Sequence, residues 1–521
     1  MTTAAPTAEL PSDLSAHEAF AKLVAMRAEA SHLQSVSALL AWDQETYMPD
    51  KAAEARAAQS GLMAGLVHRR STDPRMGELL TICEGDGELN AEGSPTAADL
   101  RELRRDYEKA TRLPESLVRE LAEAGSAAQQ AWKAARSADD FGAFRPHLEK
   151  MLDLSRTKAE ALGVPDGGEL YDALLDQYEP GARSAEIESI FNPLRERLSA
   201  FIQDIADNGT APDTSMLDVN VPEAAQHAFG LEVLAAMGFD LEAGRLDTTT
   251  HPFCEGTAPG DTRLTTRYRE SRFTDALYGT MHEGGHGLYE QGLPKTVGEA
   301  GMPSQDSVSL GIHESQSRLW ENFVGRSEAF WTWAKPIADR HFGDALSGVS
   351  PAQLAAAVNT AEPSFIRVEA DEGTYNLHVM LRFELERAMV RGDLKPADLP
   401  AAWNERFKEL FGLDVPSDAK GCMQDVHWSF GLLGYFPTYT LGNLYAAQQW
   451  EALNRTMPDL NDQIARGEFS NLLGWLNNHI HVHGRRYPAG ELNKMATGQE
   501  LSADPLMKHL ERRIKPAYGM G

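Results

Sequence analysis

Two histidines four residues apart, His282 and His286 in the run HEGGH, restrict what this 521-residue chain can build more than any other feature. Positions four apart stand one above the other on the same face of an α-helix. A helix there lets both imidazoles close on one metal ion. Glu283 is turned off that line but stays within reach of a water on the ion. Zinc suits the set: it takes nitrogen and oxygen ligands in tetrahedral geometry and keeps one position open in catalytic sites. Such an ion lowers the pKa of water from about 15.7 to about 7, and the glutamate takes the proton. With 16 His and 77 Asp plus Glu, chance yields H-[DE]-x-x-H roughly 0.07 times in such a chain. The metal reading outweighs two unrelated histidines on a core or surface face.

The metal helix is predicted from Thr274 as N-cap, with Asp275 in the first turn, to about Tyr289, breaking between Gly292 and Pro294. Gly284, Gly285 and Gly287 each cost a helix about 0.8–1.0 kcal/mol against alanine. Close helix packing and space for substrate beside the metal explain them equally well.

Length alone suits roughly two to four domains, or one long helical enzyme enclosing a groove between two lobes. Net charge is −28 and the pI near 5.0. That excludes nucleic acid as an expected partner, because phosphate binding needs clustered Lys and Arg. Cys83, Cys254 and Cys422 form no C-x-x-C pair and no even framework, which points to a reducing cytoplasm. Residues 1–10 carry no basic and apolar signal-peptide pattern, and no run approaches ~18 apolar residues, so no membrane span is expected.

The pattern is helical almost throughout. Phe20, Leu23, Val24, Leu33, Val36 and Leu40 form an apolar stripe at three-and-four spacing. Similar stripes run through residues 100–110, 117–135, 144–159 and 187–205. Pro114 before Glu115 marks a helix start, Gly125 an interruption, and residues 84–94 and 207–213 are loops. Residues 245–268 break the habit. They read as a small sheet or hairpin, 245–253 returning through 255–260 to 262–268, beside the metal helix. An extended peptide could pair with such an edge.

A catalytic zinc site needs a third protein ligand. Tyr289 and Gly292 stand where a metzincin continuation would need Gly and His. Glu290 lies a full turn (~5.4 Å) beyond His286, a poor chelating position. Glu299 sits in a Gly/Pro-rich connection. Glu314 opens a helix whose apolar side holds Leu319, Trp320 and Phe323, and that helix can pack on the first. Geometry ranks Glu314 above Glu299 and Glu321 and leaves those two open.

Further motifs are WDQETYMP at 42–49, HPF at 251–253, DTRLT at 261–265, HESQ at 313–316, IRVEAD at 366–371, GCMQDVHW at 421–428 and GYFPTYTLGN at 434–443. In this order they make the chain resemble the carboxypeptidase Taq family of zinc-dependent metallocarboxypeptidases over most of its length. The resemblance implies an all-α, mainly helical protein with a deep groove between two sides, usually a homodimer. It implies one catalytic unit over 1–521: a helical part to about 240, a metal-site core over about 241–445, and a helical part over 446–521. The activity implied is release of single C-terminal residues with broad side-chain tolerance, with one Zn2+ per chain that Co2+ or another divalent ion may replace. The resemblance also makes Glu314, in HESQ, the third ligand.

An exopeptidase must recognise a free α-carboxylate, and an arginine's planar fork matches it. Arg367, in IRVEAD, is the leading candidate, with Asp371 placed to orient it. Arg263 is second: it faces the groove or pairs with an acidic neighbour. His427, Tyr435 and Tyr439 are candidates to stabilise the oxyanion or contact substrate, against a plain packing role. His251 is a candidate for orienting a ligand, and residues 42–49 read as structural. A helical zinc endo-oligopeptidase shares most of these features but not the need for a free C-terminus. A non-catalytic scaffold keeping a structural metal fits poorly with the intact Glu283.

Overall fold

A computed structural model describes residues 10–11 and 13–520. The signal-peptide window at the N-terminus therefore falls almost wholly outside the described residues. Helices dominate, as the apolar periodicity predicts, and the single sheet has three short strands. No helix among the described residues is long and apolar enough to cross a membrane.

The predicted stripes fall on the helices Pro95–Arg112, Glu115–Ala138, Phe141–Leu162 and Ser184–Asn208. Glu115 does begin its helix, after Pro114. Gly125 does not interrupt it: the helix runs through, and the glycine is buried against the Ser429 carbonyl of a neighbouring segment. The first stripe is only half buried. Helix Ala16–Thr46 starts from a Ser15–Glu18 capping box and buries Leu23, but Val36 is exposed. Its second half leans on helix Ala53–Ser71, where Arg56 is the one buried residue.

Two apolar cores result. The smaller gathers Leu23, Leu79, Leu80, Leu100 and Leu103 near the N-terminus with Met302; the larger takes in most of the rest. Polar contacts join the N-terminal helices to the body. Arg27 donates to the Gly301 carbonyl, Asp99 accepts from Ser304, and Arg485 pairs with Asp106.

The sheet corrects the hairpin expectation. Strands β1 (Gly244–Thr248), β2 (Cys254–Ala258) and β3 (Asp261–Thr266) lie in the order β1-β3-β2. The expected returning turn is itself a strand, antiparallel to β3, and β1 pairs with β3 in parallel. Thr265 explains the break at HPF: its Oγ1 accepts from the Phe253 amide and donates to the Phe253 carbonyl. The chain can then re-enter the sheet on the far side of β3. Gly260, at φ +80°, makes the tight β2–β3 turn.

The histidine helix runs Phe273–Gly292 and ends where predicted, before Leu293 and Pro294. Its start differs. Arg272 is the N-cap without a side-chain cap, and Thr274 is buried inside the first turn. Phe273, packed on Trp331 and Phe342, draws the chain into the core one residue early. Asp275 stays in the first turn, beside Arg269 and Arg272.

Close packing accounts for the three glycines. A Cβ on Gly284 would lie 2.6 Å from Leu234, and one on Gly287 2.7 Å from Phe239. At Gly285 it would lie 2.6 Å from the Gln316 carbonyl oxygen, on helix Leu310–Arg318. Across that helix stands Gly442 of helix Pro437–Thr456, where a Cβ would meet Glu314 at 2.6 Å. The helix bearing Glu314 is thus pressed between two glycine faces.

Alanine ordinarily stabilises a helix against glycine by about 1 kcal/mol. Gly285→Ala is expected to reverse that sign and destabilise the protein by roughly 1–3 kcal/mol, because the backbone facing it cannot move aside freely. Urea unfolding measures this; a variant as stable as the parent would show that the contact is slack.

Candidate metal centre and carboxylate-binding cluster

His282 and His286 point their Nε2 atoms at one oxygen, Glu314 Oε2, at 3.6 and 3.5 Å. The ligand atoms of these three residues all lie within 4.8 Å of one another. Tetrahedral zinc with bonds of about 2.0–2.2 Å separates its ligands by about 3.3–3.6 Å. The triad therefore has the spacing of a metal site.

Each member of the triad is braced from behind. His282 Nδ1 meets Glu321 Oε2 at 2.9 Å, and His286 Nδ1 meets His313 Nδ1 at 2.5 Å. Glu314 accepts from Arg318 Nε at 2.7 Å and Ser317 Oγ at 3.0 Å. Glu321 lies on a π-helical turn, Leu319–Gly325, that continues the Glu314 helix, and Arg318 and Arg326 both bind it. Leu319, Trp320 and Phe323 are buried as expected. Burial alone would raise Glu314. Arg318 and the histidines reverse that and hold it well below the ordinary carboxylate range.

Glu283 is buried beside the triad and makes no side-chain hydrogen bond to another described residue. Burial pushes it up to about 7, a range suited to exchanging protons near neutrality. Glu299 takes no part in the triad; it accepts from Gln305.

A second cluster is continuous with the first. Arg318 stacks on Tyr375 at 4.5 Å, and Tyr375 OH accepts from Arg367 Nη1 at 2.9 Å. Arg367 binds Asp425 through Nε and Nη2, and Arg382 binds the same carboxylate at 2.6 Å. Both guanidinium groups are buried. They hold Asp425 far below its usual range despite its burial. Tyr439 stands over Arg367 at 5.0 Å and Phe436 at 5.4 Å. His427 faces Tyr439 OH at 3.5 Å and packs on Phe436; burial pushes it down to about 4, so it is neutral. Burial holds the Tyr439 phenol well above its ordinary range, protonated. Tyr435 packs edge-on against Tyr439 and Tyr178.

Of the two roles open to Arg263, pairing with an acidic neighbour is the one observed: it forks onto Asp261 at 2.9 Å and stacks on Trp42 at 4.2 Å. Two other sequence expectations need correction. Asp371 does not touch Arg367 but caps helix Glu372–Arg391 through Thr374. His251 is exposed and makes no hydrogen bond to a ligand histidine; Glu321 and His313 have that position. The 42–49 segment is structural, as expected. Trp42 carries both Arg263 and Arg245, and Tyr47 OH donates to Asp247 at 2.6 Å.

The sequence reading does not single out Arg318, Tyr375 or Arg382, and it weighs Glu290 and Glu321 only as ligands. Glu314, Arg318 and Glu321 stand at i, i+4 and i+7, one helical face. That spacing was the available signal.

The sequence pattern of the family described as "Carboxypeptidase Taq (M32) metallopeptidase" matches residues 22–514. Thermostable carboxypeptidase 1 of Thermus thermophilus is 48% identical over 509 residues, 96% of this chain and 99% of that protein. Carboxypeptidase 1 of Bacillus subtilis is 36% identical over 492 residues, covering 94% and 96%. The crystal structure of an M32 carboxypeptidase from Deinococcus radiodurans R1 superposes with a TM-score of 0.92 at 42% identity, covering 96% and 99%.

Asp425 separates two buried like charges. Asp425→Asn keeps the shape but removes the counter-charge, and breaking a buried pair this way costs about 3–5 kcal/mol. Chemical unfolding should show a loss of that order. Unchanged stability would mean that the two guanidinium groups are neutralised otherwise.

Proposed function

The chain belongs to the carboxypeptidase Taq (M32) metallopeptidase family, metal-dependent carboxypeptidases, and on that premise we propose a mechanism for its own residues. Zinc is held by His282, His286 and Glu314, Glu283 is the general base, and Arg367 receives the substrate's α-carboxylate. Single C-terminal residues are released with broad side-chain tolerance. The observation that carries the reading is the meeting of both Nε2 atoms on one Glu314 oxygen at 3.5 and 3.6 Å. Two imidazoles and a carboxylate are a donor set that zinc favours and Co2+ can share. A divalent ion held there supplies Lewis-acid activation of water and of the scissile carbonyl.

The remaining work falls to the chain. Glu283, buried and raised to about 7, takes the proton from the attacking water and returns it to the leaving amine nitrogen. Arg367, Arg382 and Asp425 together carry one net positive charge, since His427 is neutral. Three of the five N–H bonds of Arg367 are committed to Asp425 and Tyr375, leaving two for a carboxylate. Tyr439, protonated and stacked over Arg367, is the favoured donor to the oxyanion, with His427 and Tyr435 beside it. Arg263, forked onto Asp261 and stacked on Trp42, is given no part in this scheme.

Residues 1–521 act together as one catalytic unit in this reading, as a homodimer in the cytoplasm. Three free cysteines, two of them buried, fit a reducing compartment.

Glu283→Gln leaves every ligand in place, so metal content by elemental analysis should match the parent. Turnover should fall by at least 10²–10⁴-fold, the usual scale of general-base loss. Near-normal activity in the metal-loaded variant would refute the role.

Arg367→Ala tests the anchor. Hydrogen bonds to charged groups contribute about 1.5–3 kcal/mol each, so kcat/KM on free-acid peptides should drop at least roughly tenfold to a hundredfold. Residual cleavage of C-terminally amidated peptides should barely change. Equal losses on both substrates, with fold and metal intact, would place the guanidinium elsewhere in the reaction.

A further inference from the structure

We propose that His313 and Glu290 are positioning residues that fix the tautomer of His286 and so keep its Nε2 lone pair free for the metal. The proposal rests on the metal reading above.

His286 turns Nε2 toward Glu314 and Nδ1 toward His313 Nδ1, 2.5 Å away. Two ring nitrogens at that distance need one proton between them. A metal-facing Nε2 must be unprotonated, so the proton is on His286 Nδ1 and His313 Nδ1 accepts it. With Nδ1 accepting, the proton of the His313 ring sits on Nε2, and Glu290 Oε1 accepts it at 2.8 Å. An ionised carboxylate only accepts, which fixes the direction of the whole chain. Lys295 binds the other oxygen of Glu290 and favours its ionised form.

Reversal would protonate His286 Nε2 and close the coordination position. Glu290 lies one turn beyond His286 on the same helix, so the arrangement closes a loop through the neighbouring helix. His282 needs no such intermediary, because Glu321 reaches it directly. Glu290 and Lys295 also border a cavity of about 390 Å³ that none of the triad, Arg367 or Tyr439 lines. A substitution at 290 thus touches none of those groups directly and reaches His286 only through His313.

The test is the zinc dissociation constant of the full chain, measured by competition with a chromogenic chelator, in the parent, His313→Leu, His313→Asn, Glu290→Leu and Glu314→Ala. Loss of a partner behind a metal-binding histidine typically weakens binding 10–100-fold. His313→Leu and Glu290→Leu should fall in that range. His313→Asn places an amide oxygen close to where Nδ1 stands and should recover most of the affinity. The visible spectrum of the Co2+-loaded protein should change in His313→Leu and return toward the parent in His313→Asn, which lost packing alone would not produce. Parent-like affinity in His313→Leu, or equal weakness in the leucine and asparagine variants, would overturn the proposal. Should His313→Leu fail to fold, Glu290→Leu carries the test, and unchanged affinity there would also overturn it. Glu314→Ala separates the two readings. If it binds zinc like the parent, the triad itself is wrong. If it loses zinc while the His313 and Glu290 variants keep it, only the positioning chain is wrong.

Discussion

Everything at the metal centre depends on how closely three helices approach. The helix bearing Glu314 lies between Gly285 on one side and Gly442 on the other, with no room for a Cβ at either contact. Larger residues at these contacts would move the helices apart, and a carboxylate is too short to make up an extra ångström or two. The glycines are poor helix formers, so the local cost is accepted where it allows the approach. Gly284 and Gly287 extend the same close fit to Leu234, Phe239 and Leu264, which seats the histidine helix on β3 as well.

The second requirement is electrostatic. Glu314 and Glu321 are buried, and Arg318 and Arg326 beside them are partly so. Two negative and two positive groups balance, and hydrogen bonds connect them. Buried ion pairs are weak evidence for stability, because desolvation offsets attraction. Their value here is geometric. Arg318 holds one Glu314 oxygen, leaving the other turned toward both histidines. Glu321, in the π-helical turn that continues the Glu314 helix, meets His282 Nδ1 from the same face.

The legible parts of the sequence were those with local periodicity. HEGGH, the amphipathic stripes and the Glu314 helix all follow from a 3.6-residue repeat, and the helix end at Gly292 follows from Leu293-Pro294. What failed was non-local. Nothing in residues 245–268 announces that β3 will sit between β1 and β2, because the Thr265–Phe253 hydrogen bonds that separate them form only once the strands meet. The choice between the two roles of Arg263 is also non-local: Asp261 is its near neighbour, but Trp42, which stacks on it, lies 221 positions earlier. Asp371 was correctly seen as important but given the wrong partner: an Asp before a helix has a capping role at hand, and Thr374 satisfies it.

The two clusters share a single hinge residue, Tyr375. Its ring carries Arg318, which holds the metal-ligand carboxylate, and its hydroxyl accepts from Arg367. In an exopeptidase the distance from the terminal carboxylate to the scissile carbonyl is set by one residue of substrate. An anchor that drifted relative to the metal would blur that register and admit internal bonds. Arg367 cannot drift easily: Asp425 fixes two of its nitrogens, Arg382 fixes Asp425 from the other side, and Phe436 and Tyr439 close over it. The cost is that most of the guanidinium is already committed before substrate arrives. With Arg367 receiving the terminal carboxylate as proposed, the gain is a receptor whose orientation needs no rearrangement, where binding energy goes into holding the scissile bond at one fixed place.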